Sequence, residues 1–269
     1  MTAGPVITAL YVPGDRPDRF DKAAETGADL VILDLEDAVS PANKAAAREA
    51  VTQWLTADPS GSRPAVEVRV NAGDDDDLAA LAGATDVGIR LPKVESGADV
   101  DRVVDRLGAV AIAAVVETAV GVEALGEITR HRAVRTVSLG EADLASDLGT
   151  RHPRVLDAVR ARLLVAARAA GLPPPMASVF TDIADLDGLR ADTEVAREMG
   201  FVGRAAIHPV QVPVIVAAFA PSLRELAWAD EVLAVTADGG VGRLTSGEMV
   251  DRAMRGRAEA IRRLAARAR

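Results

Sequence analysis

Apolar residues along the chain fall into short β-branched runs, separated by stretches in which apolar positions recur every three or four residues. The runs near Val6–Val12, Asp29–Leu35, Ala65–Val70, Val87–Leu91, Ala111–Val116, Thr136–Leu139, Met176–Phe180 and Arg204–Ile207 read as strands. Stretches between them, such as Pro17–Thr26, Asn43–Leu55, Ala98–Leu107 and Leu156–Ala170, read as amphipathic helices. Strand starts recur at roughly 22 to 40 residues, the spacing of βα units joined by short loops. Eight such units predict an α/β fold, a (β/α)8 TIM barrel over residues 1–220. A doubly wound open sheet is the rival, and it would usually carry a glycine-rich phosphate turn after its first strand. Here that strand runs into Val12-Pro13-Gly14-Asp15-Arg16, which lacks the G-x-G-x-x-G pattern.

Residues 221–269 continue past the eighth strand as a helix (Leu223–Val235), a glycine-rich turn (Asp238 to Arg243) and a final basic helix. So short a segment is expected to lack a core of its own, and to pack on the barrel or on a neighbouring subunit as a C-terminal helical extension or lid. The acidic run Asp74–Asp77 reads as a solvated loop capping the third helix, where carboxylates favour the helix dipole.

Composition narrows the function. Aromatic residues are 3% of the chain and apolar residues 49%, so the core is built from Ala, Val, Leu and Ile, as suits strands covered on both faces. A net charge of −9 argues against nucleic acid as a partner. With no cysteine, disulfides, thiolate catalysis and zinc–thiolate sites are excluded. No apolar run approaches the ~20 residues needed to cross a bilayer. Met1 to Leu10 does not read as a signal peptide, so no membrane association and a cytoplasmic location are expected.

Polar groups gather where the predicted strands end, which in this barrel class is the active-site face. Strand 1 leads to Arg16, strand 2 to Glu36 and Asp37, strand 3 to Arg69 and Asn71, and strand 4 to Lys93. Strand 5 ends in Glu117, strand 6 leads to Glu141 and Asp143, and strand 8 to His208. Glu117 and Asp143 terminate neighbouring strands, whose axes lie about 4.8 Å apart. Carboxylates that close repel unless a cation, a proton or an arginine intervenes. Two hard oxygen ligands with room for water and substrate oxygens describe a Mg²⁺ site, and simple pairing with a nearby Arg or Lys is the plainer alternative. Glu36 and Asp37 either hold metal-bound waters and fix arginines such as Arg16 and Arg69, or merely cap a helix. Arg69 at a barrel mouth suits bidentate binding of a 2-oxo acid carboxylate. His208 reads equally as a structural donor or a catalyst. Nothing around Lys93 marks it for Schiff-base chemistry.

These residues lie in segments that resemble the citrate lyase β-subunit-like family, within the HpcH/HpaI-type aldolases and malyl-CoA-type lyases. The segments are Tyr11 to Pro17, Leu33 to Val39, Arg69-Val70-Asn71, Leu91-Pro92-Lys93, Val116-Glu117-Thr118, Leu139 to Leu144, Gly200 to Arg204 with Ala206 to Pro209, and Gly247 to Asp251. They run in order over almost the whole chain. The resemblance implies a TIM barrel with Mg²⁺ on Glu117 and Asp143, and with Arg69 binding the oxo-acid carboxylate. It also implies that Arg16, Glu36 and Asp37 line the site, and that Asp251 is an acid/base aspartate supplied from the lid of an adjacent subunit in a homotrimer or a multiple of trimers. The implied reaction is cleavage or condensation of a 3-hydroxyacyl-CoA thioester, such as malyl- or citramalyl-CoA, giving an acyl-CoA and a 2-oxo acid. Alternatives are an aldolase of free 4-hydroxy-2-oxo acids, a citryl-carrier-protein lyase subunit and a non-catalytic barrel that binds CoA. The short, arginine-rich ending Arg252 to Arg269 departs from the family pattern.

Overall fold

Eight parallel strands account for the predicted apolar runs in the computed structural model, which describes residues 6–57, 63–237 and 240–267. They are β1 (Thr8–Pro13), β2 (Leu30–Asp34), β3 (Ala65–Arg69), β4 (Val87–Leu91), β5 (Ile112–Val116), β6 (Val134–Leu139), β7 (Met176–Ala177) and β8 (Gly203–Ala206). Their order in the sheet is β6-β5-β4-β3-β2-β1-β8-β7, with β1 paired to both β2 and β8, which is a TIM barrel closed except at one seam. Among the described residues β6 and β7 share no ladder. The strand expected over Met176–Phe180 is only two residues long, paired with β8 at Met176 and Ala177. Ser178 Oγ spans the gap by donating to Leu139 O at 2.7 Å.

Helices wrap the sheet: α1 (Phe20–Ala24), α2 (Lys44–Thr56), α3 (Asp75–Leu81), α4 (Gly97–Leu107), α5 (Ala119–Glu123), α6 (Leu125–Ile128), α7 (Glu141–Asp147), α8 (Pro153–Ala169), α9 (Leu186–Met199) and α10 (Gln211–Phe219). Their limits follow local chemistry. A Ser96–Asp99 capping box opens α4, and Gly200, at φ 110°, closes α9 in the left-handed region that glycine adopts without strain. The sheet is sandwiched as the apolar pattern requires: Leu10, Val31, Leu33, Val68 and Ile89 belong to the large core that also holds Phe20, Val51, Leu163 and Phe219. Ala9, Leu30 and Ile32 form a separate cluster with Tyr11 and Met176. No single described helix is long and apolar enough to cross a membrane.

Two expectations change. Asp74 does cap α3, accepting from the amides of Asp76 and Asp77, but Asp77 is not solvated. It is fully buried, taking Arg48 Nε at 2.6 Å and the Asn71 amide at 2.7 Å, because its turn faces the barrel and finds those donors there. The C-terminal extension, in turn, has an apolar cluster of its own. Its elements are α11 (Leu223–Val235), the antiparallel pair β9 (Gly242–Arg243) and β10 (Met249–Val250), and α12 (Arg252–Arg267). Two facing helices closed by a hairpin bury Ala229, Val232, Leu244, Val250, Ala258 and Ile261 together. Leu264 reaches the main core, and Arg197 of α9 pairs with Glu225 of α11 at 3.1 Å. Asp238 and Gly239 of the expected turn, and the last two residues of the basic helix, lie outside the described residues.

If the α8–sheet contact carries the stability inferred from burial, Leu163→Ala, at a fully buried position, is expected to cost about 3 kcal/mol in urea unfolding. Val165→Ala on the solvent face of the same helix, where the side chain is 69% exposed, is expected to shift stability by no more than about 0.5 kcal/mol.

Candidate active site

All eight strands point the same way, so their C-terminal ends share one mouth. A cavity of about 450 Å³ opens there, lined among others by Tyr11, Asp37, Arg69, Arg90, Glu117 and Asp143.

Arg69, the last residue of β3, is held in a fixed pose. Its Nε and Nη2 donate to the two carboxylate oxygens of Asp34 at 2.7 and 2.6 Å, a bidentate fork set by the β2–β3 register in which Asp34 faces Arg69. Nη1 lies 2.9 Å from Glu36 Oε2 and 3.5 Å from Asp37 Oδ2. The guanidinium also stands over the Tyr11 ring at 5.0 Å. Burial alone would lower the Arg69 pKa, but the hydrogen bond and charge of Asp34 outweigh it and raise it. The guanidinium is therefore charged at every working pH.

Glu117 follows β5 and is buried, with one oxygen accepting the Lys93 amide at 2.8 Å. Lys93 takes a left-handed φ of 54° and its Nζ donates to Glu36 Oε1 at 2.6 Å. That bond raises the Lys93 pKa, the reverse of what an imine-forming lysine needs. The other face of Glu117 rests on Gly140, where any Cβ would overlap Oε2, so glycine is required by close approach. Asp143, exposed on the first turn of α7, has no hydrogen bond or ion pair among the described residues. Burial first, then the nearby Glu36 and Asp143 carboxylates, push Glu117 up to about 7.

The simple pairing alternative does not describe these two carboxylates. Among the described residues, no Arg or Lys side chain forms an ion pair with Glu117 or Asp143, whereas the neighbouring Glu141 is gripped by Arg160 at 2.8 and 2.6 Å. No group of three His, Cys, Asp or Glu among the described residues could hold a metal unaided. A hard divalent ion on Glu117 and Asp143 would therefore complete its shell with water or substrate oxygens, and its charge would relieve the repulsion that raises the Glu117 pKa.

The remaining predicted residues fall into place unevenly. Asp37 lines the cavity, and Glu36 lies buried behind it between Arg69 and Lys93. Arg16 does not line it: it is exposed and tied bidentately to Asp18 at 2.9 Å, because the turn after β1 carries it outward. His208 is exposed, and its Nδ1 accepts the Val210 amide. Asn71 braces loops, donating to Leu35 O and Asp77. Asp251 is exposed on the extension, outside the cavity of its own chain, and accepts the Ala253 amide. Sequence reasoning missed Asp34, Tyr11 and the buried Arg90–Glu67 pair, whose Nη2–Oε2 separation is 2.7 Å. For Asp34, Glu67 and Arg90 the available signal was a charged residue inside an apolar run; Tyr11 had only a lone hydroxyl in such a run.

The chain is similar to known proteins over most of its length. Residues 8–209 match the family described as HpcH/HpaI aldolase/citrate lyase. A (3S)-malyl-CoA thioesterase from Cereibacter sphaeroides is 38% identical over 239 residues, covering 86% of this chain and 83% of the relative. The CitE protein of Mycobacterium tuberculosis, solved with magnesium, acetoacetate and coenzyme A, superimposes with a TM-score of 0.83 at 37% identity, covering 98% of this chain and 99% of that one. A citrate lyase β subunit from the same organism, complexed with oxaloacetate and magnesium, gives 0.70 at 37% identity over 81% of this chain and 98% of its own.

The raised Glu117 pKa has a consequence for stability without metal. Between about pH 4.5 and 7 the folded state holds a proton that the unfolded chain has released, so stability falls as pH rises through that window. Glu117→Gln is expected to flatten this slope and to stabilise EDTA-treated protein at pH 8 by up to about 3 kcal/mol. Urea unfolding over a pH series checks both, and slopes identical in wild type and variant would contradict the assignment.

Proposed function

The chain belongs to the HpcH/HpaI aldolase/citrate lyase family, and we propose that this carbon–carbon lyase uses magnesium, held by Glu117 and Asp143, to cleave a 3-hydroxyacyl-CoA thioester into an acyl-CoA and a 2-oxo acid, or to join them. Malyl- and citramalyl-CoA are the expected class of substrate. One observation carries the reading: two crowded carboxylates that have no Arg or Lys ion-pair partner among the described residues share a cavity with a rigid guanidinium. The magnesium, oxo-acid and coenzyme A ligands of the similar structures support it.

When bound, the ion supplies Lewis acidity that offsets charge on the oxo-acid oxygen as the carbon–carbon bond breaks. Arg69 orients the oxo-acid carboxylate. Asp34 occupies its Nε and one N–H of Nη2, so the second N–H of Nη2 meets the substrate in a preset direction. Glu36 and Asp37 hold Nη1 in place beside it. Cleavage removes the hydroxyl proton and returns one to the thioester α-carbon. Asp251 serves that α-carbon from a neighbouring copy in a homotrimer or a multiple of trimers, which accords with its exposed place outside its own cavity.

Likeness to a malyl-CoA thioesterase favours a second reading, hydrolysis of the same thioester. The two differ in products. Incubation with malyl- and citramalyl-CoA, carrier-protein thioesters and free 4-hydroxy-2-oxo acids is expected to give acyl-CoA plus a 2-oxo acid from the CoA esters. Free CoA plus a hydroxy acid would indicate hydrolysis, and turnover of the free acids alone would overturn the CoA assignment.

Glu117→Ala and Asp143→Ala are each expected to lower kcat/KM by about a hundredfold to a thousandfold while the far-ultraviolet circular dichroism is unchanged. EDTA is expected to stop wild-type turnover and added Mg²⁺ to restore it. Undiminished rates in EDTA would reject the metal role.

A further inference from the structure

The seam left unladdered among the described residues adjoins the turn that carries Asp143, and we infer that the side chains flanking this seam position Asp143, with Arg160 as the positioning residue. This rests on the reading that Glu117 and Asp143 hold the metal.

From β1 to β5, and at β8, each strand has a backbone ladder to both of its neighbours. Strand β6 has such a ladder on its β5 side only. It leads through Gly140 straight into α7, whose first turn carries Glu141 and Asp143. Side chains supply the missing lateral hold. Ser178 Oγ donates to Leu139 O at 2.7 Å, and Ser178 O accepts from Arg204 Nη1 of β8 at 2.9 Å. Arg204, buried, pairs through Nη2 with Asp192 of α9. On the other side of the turn, Arg160 of α8 holds Glu141 through a two-pronged grip at 2.8 and 2.6 Å, and makes no ion pair with Asp192 among the described residues.

Between Leu139 and Glu141 sits Gly140, the surface on which the Glu117 carboxylate lies. Leu139 and Glu141, each held by a side chain from across the seam or from α8, thus flank the contact between Gly140 and Glu117. The far end of α7 is tied separately, Asp147 accepting the Ala119 amide at 2.7 Å. Among the described residues the Asp143 side chain makes no such tie; on the β5 side Gly140 N donates to Val116 O at 3.0 Å, and on the outer side the turn is held through Glu141. A bidentate guanidinium–carboxylate pair fixes orientation as well as distance, which a single hydrogen bond does not.

A positioning role and a purely stabilising one differ in what they do to metal affinity. Titration of metal-free protein with Mn²⁺, followed by electron paramagnetic resonance, is the direct test. Arg160→Gln is expected to raise the Mn²⁺ Kd about tenfold. Arg160→Lys keeps the charge without the fork and should fall between that variant and wild type. Arg197→Gln breaks the ion pair to Glu225, remote from the seam, and should leave the Kd unchanged. An unchanged Kd in Arg160→Gln, or an equal loss in Arg197→Gln, overturns the inference. Should Arg160→Gln not fold, Asp192→Asn probes the seam from its other side, and an unchanged Kd there overturns it equally. Wild-type protein that binds no Mn²⁺ would instead overturn the metal reading itself.

Discussion

Burying Glu117 at the end of β5, with Glu36 and Asp143 close enough to raise its pKa, concentrates negative charge in a place with little solvent to screen it. The surrounding structure is arranged around that crowding. Lys93 bends into a left-handed conformation that lets its amide serve Glu117 and its ammonium serve Glu36. Arg69 is drawn between Asp34, Glu36 and Asp37 and cannot neutralise Glu117 or Asp143 as well. Lys93 and Arg69 are thus committed elsewhere, and among the described residues Glu117 and Asp143 are left as an anionic pair suited to a divalent ion.

The barrel makes this possible because parallel strands deliver their ends to one mouth while helices pay the solvation cost of the outside. Its inner surface is not uniformly apolar. Tyr11, Arg90, Glu67 and Ser138 form a polar floor beneath the site, with Arg90 paired to Glu67 and lying 5.9 Å from the Tyr11 ring centre. Gly88 leaves room for the Glu67 side chain and Gly140 for that of Glu117. Both glycines serve close approach rather than backbone freedom. The open seam between β6 and β7 lies next to the turn proposed to carry a metal ligand.

Much of this was legible from order along the chain. Alternation of β-branched runs with amphipathic stretches located β4 to the residue and the other strands to within a few, because burial of both sheet faces leaves a local imprint on sequence. Glu117, Asp143, Arg69 and Asp37 stood out because a charged residue just past an apolar run must emerge at the strand end. What only the tertiary structure decided were pairings between residues far apart in sequence: Asp34 with Arg69, Glu67 with Arg90, Glu141 with Arg160, Asp77 with Arg48. The outward swing of Arg16 toward Asp18 and the separate apolar cluster of the extension were likewise settled by packing. Periodicity reports which side of an element is buried; register and helix docking choose the partner that meets it there, and those depend on the whole fold at once.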